Sequence, residues 1–179
     1  MNTEPFDLRY PIGRPHIKMA LSNDERLLAI RSIEETPERL RAAVEGLNNK
    51  QLDTHYREGG WTVREVVHHI ADSHLNAYIR MKLALAEDAP TVKPYDEAVW
   101  AKLPDSRGPI DSSLDLVTAL HERWVRLIKA LSPADFARTF IHPEYPDAPR
   151  TIDWIVSLYA WHGPHHIAHI TSLRDRMGW

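Results

Sequence analysis

The stretch TVREVVHHIADSHLNAYIRMKLALAE, residues 62–87, contains the clearest structural signal in the chain. Thr62 and Glu65 form a T-x-x-E pattern directly before an apolar run, which is the signature of a capping box at a helix start. Val63, Val67 and Ile70 then recur at helical spacing on one face. The stretch therefore predicts a long amphipathic helix that ends near residue 87.

Two further helices are predicted on either side of this stretch. Residues 22–47 are helical by composition, and Thr36-Pro37 predicts a break, with Thr36 as a cap and Pro37 as the first residue of a fresh helix. Residues 112–131 begin with an S-x-x-D pattern at Ser112 and Asp115, which predicts a capped start there.

The last predicted helix runs from about Thr151 to Met177, with Gly178 just past its end as the expected C-terminal cap. Its middle contains Gly163-Pro164, so we expect the helix to kink or loosen there. The alternative is that the helix begins at Pro164.

The connections complete the predicted fold. Residues 1–20 are expected to form an extended leader, residues 48–61 and 141–150 are predicted loops, and residues 132–136 a short helical turn. Four prolines exclude a continuous helix between residues 88 and 111. No stretch shows strand alternation, so residues 1–179 are predicted to form a single all-α domain, a four-helix bundle with long crossover connections.

Composition excludes several classes of protein. The formal net charge of −3 gives no reason to expect nucleic-acid binding, and no apolar run is long enough to span a membrane. The N-terminal residues do not resemble a signal peptide, which predicts a cytoplasmic protein. Because the chain has no cysteine, any metal site must use histidine or carboxylate ligands.

Seven of the eleven histidines fall in two short windows, one in each of two predicted helices. In YAWHGPHHIAHI, residues 159–170, the side chains of His162, His166 and His169 fall on the apolar stripe, and His165 lies at its edge. His162 and His166 are four residues apart and can point at one site, the usual spacing for two imidazole ligands of a zinc-type ion. The alternative is a set of hydrogen-bonded core histidines.

A third ligand is expected from residues 68–74. Periodicity slightly favours His74 over His69, and it places His68 on the solvated side. The remaining histidines are predicted to be surface or loop residues: His16, His55, His121 and His142.

These residues also carry a resemblance to a known family. The segments LDTHYREGGWTVREVVHHIADSHLNAYIR, KPYDEAVW and YAWHGPHHIAHI…MGW resemble the YfiT group of the DinB-like four-helix-bundle superfamily, from Tyr10 to Trp179. The resemblance implies a cytoplasmic homodimer and a metal-dependent hydrolase that binds one zinc or nickel ion per subunit. It implies that the ligands are His69, His162 and His166, whereas Gly163-Pro164 departs from the family pattern.

Three functions follow from this pattern. The first is a hydrolase that acts on a small molecule with a metal-activated water. The second is a transferase of a low-molecular-weight thiol such as bacillithiol, which some members of the family are, and the third is a metal-binding dimer without turnover. An open cleft lined by HYREGGW and KPYDEAVW would oppose the third. No catalytic base is assigned, and candidates for orienting or proton-carrying roles are His165, His169, Asp72 and Tyr56.

Overall fold

Four long helices make up the bundle in the computed structural model, which describes residues 7–179. The long helices are α1 (Asn23–Val44), α3 (Val63–Ala86), α5 (Asp111–Lys129) and α7 (Ile152–Met177). The connections contain the short helices α2 (Asn49–Leu52), α4 (Glu97–Trp100) and α6 (Pro133–Phe136), and the strands β1 (Thr139–Phe140) and β2 (Arg150–Thr151). Among the described residues, no helix has the length and apolar character needed to cross a bilayer.

The order of packing explains why the connections are long. Helix α1 packs mainly against α5 and α7, and α3 packs mainly against the same two helices. Helices α1 and α3 are consecutive long helices yet lie diagonally across the bundle, and so do α5 and α7. The chain therefore crosses the bundle twice, and the predicted all-α bundle with crossover connections is confirmed.

The buried core is divided into two apolar halves by a layer of imidazoles. One half is centred on Trp124, Phe140 and Ile155, and the other on Leu40, Ile70 and Ile170. Between the two halves each long helix contributes a buried or half-buried polar residue: Thr36 from α1, His69 and His74 from α3, His121 from α5, and His162 and His166 from α7. The bundle thus places side chains that bind protons or metals at mid-height.

Two of the predicted helix boundaries are confirmed by their hydrogen bonds. The Thr62 hydroxyl accepts from the Glu65 backbone N–H, and the Glu65 carboxylate accepts from the Thr62 N–H at 2.7 Å. At the other end of the chain Thr151 caps α7, and Gly178 adopts the left-handed conformation with φ of 69°. These caps fix where α3 and α7 begin, and hence the height of their histidines.

The predicted break at Thr36-Pro37 is wrong, because α1 is continuous through both residues. Thr36 is fully buried, and its hydroxyl donates to the Ser32 carbonyl one turn back instead of capping a new helix. Pro37 has no N–H for the Ile33 carbonyl, which accepts from the side chain of His121 on α5 instead. A neighbouring helix thus replaces the hydrogen bond that proline removes.

The predicted cap at Ser112 is also wrong. Helix α5 begins at Asp111 after Ile110, with no side-chain cap, and the Ser112 hydroxyl donates to the Pro109 carbonyl. Asp115 does not complete a capping box, because its carboxylate pairs with Arg41 of α1.

Helix α7 runs without interruption through Gly163-Pro164, so the alternative start at Pro164 is wrong. Proline leaves the Ala160 carbonyl without its usual partner, and the Ser32 hydroxyl of α1 donates to it at 2.7 Å. Glycine at 163 is required by the close approach of α1, since a Cβ there would lie 2.7 Å from Oγ1 and 2.9 Å from Cγ2 of Thr36.

Gly163→Ala is therefore expected to destabilise the protein by about 1–3 kcal/mol, the usual effect of overpacking a filled core. Thr36→Ala removes both crowded atoms, so the double variant should lose less stability than the two single variants added together. Denaturant unfolding of the four proteins measures this coupling. Strict additivity would show that Gly163 is not needed for the contact with α1.

Several predicted loops contain short regular elements. Residues 48–61 include α2, and residues 88–111 include α4 and a 3₁₀ turn at Pro104–Arg107. The prediction of a chain without strands is wrong at one place, where β1 and β2 form an antiparallel pair. Each strand has only two residues, too few to show alternation. The short helix predicted at residues 132–136 is confirmed as α6.

The predicted leader, residues 1–20, is described only in part, because residues 1–6 lie outside the described residues. From residue 7 to residue 21 it forms no helix or strand and packs along α7. Its backbone N–H groups donate to α7 side chains, Lys18 to the Ser157 hydroxyl and Leu21 to the Asp153 carboxylate.

Candidate metal centre

The three histidines predicted as metal ligands meet inside the bundle. His69 extends from α3, and His162 and His166 extend from α7 on successive turns of the same face. One ring nitrogen from each residue lies within 4.8 Å of the others. The closest pair is Nε2 of His69 and Nε2 of His162, 3.4 Å apart.

Burial keeps these imidazoles in the form that binds metals. His69 is 4% exposed and His166 8%, whereas His162 is partly exposed. Desolvation, reinforced by the neighbouring imidazoles, lowers the pKa of His69 to about 3 and holds the pKa values of His162 and His166 well below 6.5. All three rings are therefore neutral at pH 7, with a lone pair available on each.

The arrangement fits a divalent ion of the late first transition row. Two imidazole nitrogens at zinc–nitrogen distances of 2.0–2.1 Å in tetrahedral geometry lie about 3.3 Å apart, close to the 3.4 Å between His69 and His162. The buried Nδ1 of His166 has no hydrogen-bond partner in the described chain. An all-imidazole donor set suits zinc, nickel, copper and iron and is a poor match for magnesium or calcium.

His74, which periodicity slightly favoured as the third ligand, has a different environment. Its Nδ1 lies 2.7 Å from His121 Nε2, and its Nε2 lies 3.1 Å from His162 Nδ1. Both ring nitrogens of His74 are thus occupied by other histidines, which leaves no lone pair directed at an ion. His74 instead lies directly behind His162.

Three histidines are buried although His68 was predicted to be solvated and His121 and His142 to be surface or loop residues. His68 contacts the Ser113 hydroxyl at 2.8 Å, because the start of α5 covers the side of α3 predicted to face solvent. His121 is 2% exposed, and His142 lies in a loop but is only 3% exposed. His16 and His55 are exposed, as predicted.

A signal for His121 was present in the sequence. Val117, His121 and Trp124 follow each other at spacings of four and three, the pattern of a buried helix face. His121 is therefore a buried residue near the site that the spacing of paired histidines does not reveal, because it stands alone in its helix.

A second group of three histidines lies next to the first on α7. His165, His166 and His169 place ring nitrogens within 4.8 Å of one another. His165 stacks on Trp161, and His169 stacks on Tyr56 with ring centroids 4.0 Å apart. The two stacking contacts hold these rings against aromatic side chains, and the His169 Nε2 also bonds to a leader carbonyl, that of Arg9.

The segments HYREGGW and KPYDEAVW take different places around the centre. Trp61, which ends the first segment, lies 4.4 Å from the His69 ring, centroid to centroid. Residues 94–98 of the second line a cavity of about 630 Å³ together with Glu144 and Tyr145. The first segment thus contacts His69, and the second lines a separate volume of small-molecule size.

One carboxyl group on the ligand-bearing helix has a shifted pKa. Asp72 lies three residues after His69 and is half-buried. Burial, followed by the charge of Asp105, raises the pKa of Asp72 to about 6. A carboxyl group with this pKa exchanges protons readily near neutral pH, as acid–base catalysis requires.

Comparisons with known proteins find relatives that match nearly the whole chain. The model of the DinB superfamily matches residues 32–170. A Bacillus mycoides protein and a Bacillus cereus protein, both named "Putative metal-dependent hydrolase", are each 52% identical over 173 residues, which is 97% of this chain and 99% of theirs. YfiT from Bacillus subtilis, described as "a probable metal-dependent hydrolase with an unusual four-helix bundle topology", superposes with a TM-score of 0.92. It is 47% identical over 96% of this chain and 98% of its own.

Both the fold and the sequence therefore place the chain in one family. The matched region covers most of the bundle, and the relatives match nearly end to end. This chain belongs to the DinB superfamily and is similar to YfiT over almost its whole length.

Proposed function

We propose that the protein is a metal-dependent hydrolase of a small molecule, in which His69, His162 and His166 hold one divalent ion. The observation that carries the proposal is the convergence of three neutral imidazoles from two helices within 4.8 Å. The names of the relatives support it. Zinc is the first choice for the ion and nickel the second, since imidazole donors suit both.

Three protein ligands leave at least one coordination position for water or substrate, as in catalytic and not structural sites. A bound ion of this kind acts as a Lewis acid and lowers the pKa of a water molecule toward 7, which is the chemistry a hydrolase needs. The protein supplies the rest: burial keeps the three rings unprotonated, and Trp61 covers one side of His69.

The test is a turnover assay with protein loaded with zinc or nickel and with chelated protein as the control. Chromogenic esters and amides, and a dinitrophenyl halide, are offered with and without a panel of low-molecular-weight thiols. We expect metal-dependent, thiol-independent cleavage of an ester or amide. Thiol-dependent consumption of the halide alone would replace hydrolysis by thiol transfer, and inertness toward every substrate would contradict both.

A further inference from the structure

Two buried histidines, His121 and His74, and the partly exposed His162 form a hydrogen-bonded chain that starts at a backbone carbonyl and ends at a proposed ligand. The Ile33 carbonyl oxygen lies 2.7 Å from His121 Nδ1, His121 Nε2 lies 2.7 Å from His74 Nδ1, and His74 Nε2 lies 3.1 Å from His162 Nδ1. We call His121, His74 and His162 the histidine chain. The three histidines lie on α5, α3 and α7, and α1 supplies the Ile33 carbonyl, so all four long helices contribute.

The first link depends on Pro37. In an uninterrupted helix the Ile33 carbonyl would accept from the N–H of residue 37, but proline has none. The carbonyl is thus an unpaired acceptor in the interior, and His121 supplies the donor it requires. The proline in α1 therefore creates the anchor of the histidine chain.

The carbonyl fixes the position of every proton along the chain. A carbonyl oxygen can only accept, so His121 must carry its proton on Nδ1. Because His121 is buried and neutral, its Nε2 is then an acceptor, and His74 must donate from Nδ1. The same reasoning makes His74 Nε2 an acceptor, so His162 must donate from Nδ1.

We propose that His121 and His74 are positioning residues that hold His162 in the tautomer with its proton on Nδ1, leaving the Nε2 lone pair directed at His69. This inference rests on the proposed function for the ion, whereas the tautomer is a property of the metal-free chain. In the opposite tautomer His162 Nε2, which lies 3.4 Å from His69 Nε2, would carry the proton and would have no lone pair for an ion.

Partners of this kind govern the strength of metal binding. A ligating histidine whose other nitrogen donates to a fixed acceptor has its tautomer and ring orientation set in advance, and removal of such a partner commonly weakens metal binding by 10–100-fold. Metal-ligating histidines usually donate to a carboxylate, a carbonyl or water. Here the acceptor is the imidazole of His74. Its Nε2 is an acceptor because the Ile33 carbonyl fixes the proton of His121, which in turn fixes the proton of His74.

The direct test is long-range ¹H–¹⁵N correlation spectroscopy of the chelated, ¹⁵N-labelled parent at neutral pH, which distinguishes protonated from unprotonated ring nitrogens. We expect protons on Nδ1 of His121, His74 and His162, and none on Nε2 of His162. A proton on Nε2 of His162 in the parent would overturn the proposal without the need for any variant.

His121→Phe removes the acceptor of the His74 Nδ1–H, so the protons of His74 and His162 are no longer fixed. We expect His162 to lose its single tautomer and the affinity for zinc to fall about 10–100-fold, as for loss of a partner behind a ligand. His121→Gln retains an acceptor oxygen and should keep the tautomer and affinity of the parent. An unchanged His162 spectrum and unchanged affinity in His121→Phe would contradict the proposal.

His142→Phe is the matched control, because it makes the same substitution at a buried histidine outside the chain. It should leave the tautomer of His162 and the zinc affinity as in the parent, and equal losses in both variants would mean that His121 acts only through the packing of the core. If the parent shows the predicted tautomers but binds no metal, the proposed function is refuted and the histidine chain is supported.

Discussion

His166→Ala is expected to lower the affinity for zinc by more than about 100-fold, beyond the 10–100-fold typical of losing a residue behind a ligand. His162 and His166 are on one face of α7, and His69 faces them from α3, so each would supply one of the three donors of the proposed site. With one donor removed, only two imidazoles would remain to hold an ion. Metal-dependent turnover should be lost with the affinity.

The measurement is competition of the variant against a chromogenic chelator, with His16→Ala as the matched control. His16 is exposed and lies in the leader, so its removal should leave affinity unchanged. His69→Ala and His162→Ala should behave as His166→Ala does. Parent-like zinc affinity in any of the three would remove that residue from the ligand set.

The metal-free protein is expected to lose stability steeply as the pH falls from 6.5 toward about 4. Burial lowers the pKa of His121 to about 4 and that of His69 to about 3, from 6.5 in the unfolded chain. Below pH 6.5 the unfolded state binds protons that the folded state does not bind, so the free energy of unfolding decreases as the pH is lowered. Between the unfolded-state and folded-state pKa values, each such histidine lowers the free energy of unfolding by about 1.4 kcal/mol for each pH unit of acidification.

The combined effect is large, because several other histidines share the lowered pKa: His68, His74, His142, His162, His165, His166 and His169. The total stability of a domain is only about 5–15 kcal/mol, so the loss at a few of these groups is enough to matter. The stability lost is fully present above pH 6.5, where both states are neutral.

Denaturant unfolding at a series of pH values, with and without zinc, measures this dependence. His121→Phe removes one of the groups and should show a shallower pH dependence than the parent. Added zinc should raise stability most near neutral pH, since protons compete with the ion as the pH falls. A metal-free protein equally stable at pH 6.5 and pH 4 would contradict the burial of neutral imidazoles.

The sequence was most informative where one local interaction decides the structure. The Thr62–Glu65 capping box and Gly178 bound their helices as predicted, because capping depends on residues within one turn. The i, i+4 spacing of His162 and His166 likewise fixed their common face, whereas His69 was taken from the family resemblance and not from periodicity.

The failures occurred where a partner distant in sequence decides the structure. Thr36-Pro37 is the usual signal of a helix break, but His121, far along the chain, satisfies the carbonyl that Pro37 leaves free. Local propensity cannot anticipate this compensation, and the same holds for Ser32 at Pro164. His121 itself was classed as peripheral because a lone histidine has no sequence neighbour to mark it.

The proposed function depends on a single ion held by His69, His162 and His166. Elemental analysis of protein purified without chelators measures this directly, with the double variant His162→Ala, His166→Ala prepared in parallel. We predict about one zinc or nickel ion per chain in the parent, and none in the variant. A parent without metal, or a variant that retains the same metal content, would contradict the proposal.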